Sequence, residues 1–77
     1  MVIKILGGGC ANCKRLYANV EEAAKQLGLD VTLEKVEDYP SIMKYGVMST
    51  PALVVDEELK VAGRVPSVDE IKAMLQG

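Results

Sequence analysis

The stretch Val2-Ile3-Lys4-Ile5-Leu6-Gly7-Gly8-Gly9-Cys10-Ala11-Asn12-Cys13 decides how the rest of the chain is read. Its first half is a β-branched run that places Val2, Lys4 and Leu6 on one face and Ile3 and Ile5 on the other, and three glycines end it. Apolar residues on both faces mark an inner strand. Its second half sets two cysteines at the opening of a helical pattern. The unpaired N–H groups of a helix's first turn and the positive end of its dipole stabilise a thiolate over a thiol, so Cys10 is expected to be acidic. Cys13 lies three residues on, on the same helical face, where side-chain carbons stand about 5–6 Å apart against roughly 3.8 Å in a relaxed disulfide. That spacing suits a bond made and broken repeatedly rather than a staple. Two small apolar residues packed under a helix would be a plainer account, but a pair at a strand-to-helix junction favours chemistry.

Outward from this stretch, residues from about Ala11 to Leu27 put Cys13, Leu16, Tyr17, Val20, Ala24 and Leu27 on one helical stripe, and Gly28 supplies a left-handed stop. Val31, Leu33 and Lys35 alternate with Thr32, Glu34 and Val36, which predicts a second strand parallel to the first through a right-handed crossover. Asp38 and Pro40 start a short helix carrying Ile42, Met43 and Tyr45, and Gly46 ends it. Ala52-Leu53-Val54-Val55 and Leu59-Lys60-Val61-Ala62 form a hairpin across Asp56-Glu57-Glu58, read as a solvated acidic turn. Ser67 and Glu70 stand at capping-box spacing before a last helix with Val68, Ile71, Met74 and Leu75 as its apolar stripe. The predicted order is β-α-β-α-β-β-α, an α/β fold.

The chain has 77 residues, which points to one domain, 1–77, near the lower limit for burying a sufficient core. Hydrophobic residues make up 49% and the only aromatics are three tyrosines, so the core is expected to be aliphatic. A net charge of −2 with interspersed signs leaves no basic stripe for nucleic acid. The apolar run Met1 to Leu6 contains Lys4 and is too short for a signal segment or a membrane span, so the expected setting is cytoplasmic. In a reducing cytosol, cysteines at this spacing are catalytic or metal-binding more often than structural. Gly7-Gly8-Gly9 is not followed by Gly-Lys-Ser/Thr, so it is read as a flexible approach to the cysteines and not as a phosphate loop. Lys14 and Arg15 are read as a solvated helix face.

The predicted order, the Cys10/Cys13 pair at the first strand-to-helix junction and Thr50-Pro51 at the start of the third strand resemble the thioredoxin and glutaredoxin superfamily over the whole chain. The likeness extends to small, glutaredoxin-sized redox-active disulfide proteins, which add a Gly-Arg-Val stretch, here Gly63-Arg64-Val65. It implies a thioredoxin-like fold with a four-stranded mixed sheet, the hairpin antiparallel on the far side of the first strand, and a cis Thr50–Pro51 bond. It also implies Cys10 as nucleophile, Cys13 as resolving thiol, and Thr50, Pro51 and Gly63 as a rim on which an extended substrate docks. The chain departs from that pattern in having no tryptophan before Cys10, Ala11-Asn12 between the cysteines, and Lys4 six residues before Cys10, where thioredoxins place a buried acid. Lys4 is read as a strand lysine reaching solvent, with charge lent to the site as the alternative.

The function expected on these grounds is a thiol–disulfide oxidoreductase acting on protein disulfides as a monomer, with a disulfide reductase or a small thiol as electron donor. It needs no cofactor and no metal. Glutathione-dependent activity is less supported, because no cationic pocket for that tripeptide's carboxylates is evident. The competing class is a soft-metal or metalloid carrier using the same two thiolates. Copper carriers of that kind run β-α-β-β-α-β, however, and Thr50-Pro51 and the helix from Ser67 argue against that order.

Overall fold

The computed structural model describes residues 1–8 and 11–76. The elements are β1 (Val2–Leu6), α1 (Ala11–Leu27), β2 (Thr32–Val36), α2 (Tyr39–Met43), β3 (Ala52–Val55), β4 (Glu58–Ala62) and α3 (Val68–Gln76), the β-α-β-α-β-β-α order predicted. The sheet order is β2-β1-β3-β4, with β1 parallel to β2 and antiparallel to β3. β1 is thus the inner strand its two apolar faces predicted.

Two aliphatic clusters cover the two faces of the sheet. On one, Ile3, Ile5, Leu53 and Val55 meet Leu16, Val20 and Ala23 of α1 and Ile71 and Leu75 of α3. On the other, Leu6, Ala52 and Val54 meet Ile42 of α2 and Val47. All four residues of β3 are buried, because alternate side chains enter opposite clusters.

Local chemistry sets the boundaries. α1 closes in a Schellman arrangement, with Gly28 at φ +66°, its N–H donating to the Lys25 carbonyl at 3.1 Å and the Leu29 N–H to the Ala24 carbonyl at 3.0 Å. The Asp38 carboxylate caps α2 by accepting from the Ser41 N–H at 3.1 Å. α2 is shorter than predicted: it ends at Met43, and Lys44 to Gly46 form a turn. Of the residues it carries, Ile42 is buried and Met43 is 68% exposed. At α3 both capping-box bonds form, Glu70 N–H to Ser67 Oγ at 3.1 Å and Ser67 N–H to Glu70 Oε1 at 3.2 Å.

The hairpin corrects the reading of the acidic turn. Its loop has two residues, Asp56 and Glu57, both at positive φ as a type I′ turn requires, while Glu58 begins β4 opposite Val55. The turn's side chains bind back into the fold. Asp56 Oδ1 accepts from the Val2 N–H at 2.8 Å, and Glu57 Oε1 and Oε2 take the Lys4 ammonium at 2.6 Å and the Tyr45 hydroxyl at 2.8 Å.

Candidate functional site

Cys13 sits in the first turn of α1, on the inward stripe with Leu16 and Val20, and is 6% exposed and disulfide-bonded. Cys10 lies outside the described residues. No acidic residue stands in the first turn of α1, and Lys14 and Arg15 are exposed there, so the sign of charge around this helix start favours a thiolate.

Gly7 fits the cysteine into place. Its N–H donates to the Val36 carbonyl at 2.9 Å, extending the β1–β2 ladder one residue beyond β1, and it is buried. Strand alternation puts Gly7 on the face of Ile3 and Ile5, directly against α1. A Cβ there would collide with Cys13 Sγ and would lie 3.7 Å from Thr50 Cβ. Gly7 is therefore a close-packed position that admits the sulfur, not the flexible approach expected from the glycine run. Gly8 is open, with no atom within 4 Å of the place a methyl group would occupy.

Thr50 is exposed, Pro51 is buried, and the bond between them is cis. Gly63, at φ +79°, donates its N–H to the Pro51 carbonyl at 2.9 Å, and a Cβ on it would press to 3.1 Å from Ser49 Cβ. Gly7, Cys13, Thr50, Pro51 and Gly63 thus form one contiguous rim, joining residues far apart in the chain. Arg64 takes no part in it: its guanidinium pairs with Glu70 at 2.9 Å.

Lys4 reaches the surface, its side chain 20% exposed, and does not stand on the cysteine side of the sheet. It projects to the α2 face of the sheet, opposite the face on which Cys13 packs, and its ammonium is held by Glu57 and by the Tyr45 hydroxyl at 2.8 Å. These bonds raise the Lys4 pKa well above the ordinary lysine value, and Lys4 together with Tyr45 lowers that of Glu57. For Glu57 the sign is that of a carboxylate stabilised in the fold. The contribution is present above its ordinary value of 4.5 and is lost as pH falls through the lowered one. Glu57→Gln is accordingly expected to lower the thermal midpoint at pH 7 and to flatten its decline below pH 5, as read by circular dichroism melts across pH.

Two features beside the rim escape a reading of the sequence. A cavity of about 100 Å³ opens next to Cys13, walled by Ile5 and Gly7, by Lys14 and Tyr17 of α1, and by Lys35 and Glu37 at the end of β2. The Lys35 ammonium stands 4.8 Å from the centre of the Tyr17 ring. The signal was present in the alternation: Lys35 and Glu37 continue the face of Val31 and Leu33 past the point where apolar residues run out. Second, Tyr39, Met43 and Met48 are exposed, Met48 to 97%, and with Ile42 and Val47 they border a groove of about 390 Å³ that reaches Thr50. Among the described residues no group of three or more His, Cys, Asp or Glu side chains could hold a metal, and no helix is long and apolar enough to cross a membrane.

The family described as Thioredoxin domain matches residues 1–76. A thioredoxin of Methanothermobacter thermautotrophicus is 48% identical over 75 residues, covering 97% of each chain. A thioredoxin of Methanocaldococcus jannaschii is 40% identical over 76 residues, covering 99% of this chain and 87% of its own. The structure of thioredoxin 1 from Thermosipho africanus superposes with a TM-score of 0.65 at 22% identity, over 99% of this chain and 91% of that one, a likeness of fold.

Proposed function

The chain belongs to the thioredoxin family, and from that premise we propose that it is a thiol–disulfide oxidoreductase that reduces protein disulfides through Cys10 and Cys13. The observation that carries the reading is the placement of Cys13: disulfide-bonded, shielded at a helix start, and packed where only a glycine leaves room for its sulfur. Cys10 is the attacking thiolate and Cys13 the resolving thiol. Attack on a substrate disulfide forms a mixed disulfide, and Cys13 then displaces the reduced substrate.

Thr50, Pro51 and Gly63 are the docking rim in this reading, where an extended segment lies by backbone pairing. The exposed side chains of Tyr39, Met43 and Met48 beside Thr50 favour a polypeptide over a small thiol, since they offer apolar area next to the sulfur chemistry. A disulfide reductase or a small thiol would return the electrons in the cytoplasm, and the domain would work as a monomer.

Turnover of insulin disulfides with dithiothreitol as the terminal donor tests the assignment. Acceleration of at least roughly tenfold over dithiothreitol alone is expected, from the thiolate character of a helix-start cysteine. A rate equal to that of dithiothreitol alone would remove the oxidoreductase reading.

A further inference from the structure

Resolution needs a proton acceptor, because a thiol attacks a disulfide only as its thiolate. Cys13 is only 6% exposed, and burial disfavours the charged form of a thiol. Beside it opens the cavity of about 100 Å³, several times the roughly 10–15 Å³ that one water molecule requires. Among the described residues, the titratable groups lining that space are Lys14 and Tyr17 from α1 and Lys35 and Glu37 from the β2 end, while Ile5 of β1 and Gly7 just beyond it add none. Lys4, the charged residue of β1, is bound to Glu57 on the opposite face. Among the described residues, Glu37 is therefore the only carboxylate that shares this cavity with Cys13.

We propose that Glu37 accepts the Cys13 proton during resolution, through the cavity, while Lys14 and Lys35 hold the cavity electropositive for the thiolate that forms. The proposal rests on the oxidoreductase reading above. The Cys13 S–H bond breaks with its proton passing to the Glu37 carboxylate. The thiolate then attacks Cys10 sulfur in the mixed disulfide, the Cys10–Cys13 bond forms, and the bond to the substrate sulfur breaks with its electron pair leaving on that sulfur. The two cysteines are oxidised and the substrate sulfur is reduced, taking its proton from solvent. Glu37 returns its own proton to solvent through the cavity mouth.

The reaction of the reduced full-length chain with the aromatic disulfide 5,5′-dithiobis(2-nitrobenzoate) separates the steps. The first thionitrobenzoate released reports attack by Cys10, and the second reports resolution by Cys13. In Glu37→Gln the second release should slow by roughly tenfold below pH 7, in keeping with loss of a general base, and its rate should climb with pH more steeply than the parent's. The first release and the thermal midpoint should be unchanged, and Glu37→Asp should recover most of the second rate. A second release in Glu37→Gln that matches the parent's across pH, or equal slowing of both releases, would overturn the proposal. A parent that shows no second release would instead overturn the oxidoreductase reading and the proposal with it.

Discussion

Cys13→Ser is expected to hold its substrate covalently, as a mixed disulfide that survives non-reducing electrophoresis and disappears with dithiothreitol, whereas Cys10→Ser traps nothing and its insulin turnover falls to background. The asymmetry follows from the order of steps. The thiolate at the helix start attacks first, and the shielded sulfur one turn later ends the encounter. Serine at 13 cannot displace the substrate, so the first covalent product accumulates. Packing also separates the roles, since a sulfur that is 6% exposed and pressed against Gly7 reaches a disulfide only when it is delivered to the neighbouring cysteine. Trapping by Cys10→Ser, or turnover retained in it, would reverse the assignment.

Gly7→Val is the second large effect. A side chain there meets Cys13 Sγ on one side and approaches Thr50 on the other, and it intrudes on the cavity that Glu37 shares. The sulfur belongs to a helix anchored by Leu16 and Val20, both fully buried, and Gly7 is tied to Val36 by its backbone, so neither partner moves freely. Overpacking of this kind costs about 1–3 kcal/mol, and for a domain of this size each kcal/mol lowers the thermal midpoint by roughly 4–8 °C. Insulin turnover should fall further than the loss of folded protein accounts for, because the displaced atom is the resolving sulfur. Gly8→Ala is the control: open space surrounds Gly8, and its melt and turnover should stay at parental values. Equal behaviour of the Gly7 and Gly8 variants would show that the close approach at Gly7 has no part in the site.

Much of the fold was legible because local signals and the long-range pattern agreed. The stripe through Leu16 and Val20, the stop at Gly28, the capping box at Ser67 and Glu70 and the two apolar faces of β1 each specify an element by short-range chemistry. What could not be read were pairings between distant residues. Lys4 and Glu57 stand 53 positions apart, and only the β1–β3 register, which brings the hairpin turn over Val2, makes them neighbours. The type I′ turn was obscured by a glutamate in a place that glycine or asparagine commonly fills, and Glu57 is held there by Lys4 and Tyr45. Gly7 looked like one of three equivalent glycines until α1 was packed on β1. Thr50, Pro51 and Gly63 were placed by resemblance alone; the pairing of β3 with β1 brings Thr50 to Gly7, against which Cys13 packs, and its pairing with β4 brings Gly63 to Pro51.

The central claim is a reversible two-electron exchange at one cysteine pair. Its most direct measurement is equilibration of the chain in glutathione buffers of graded ratio, followed by acid quench, alkylation and mass analysis of the free thiols. The account predicts one transition in which both thiols appear together, superimposable from the oxidised and the reduced side, with species carrying one blocked thiol staying minor throughout. Two thiols that titrate independently, or a pair that never closes in any buffer, would contradict it.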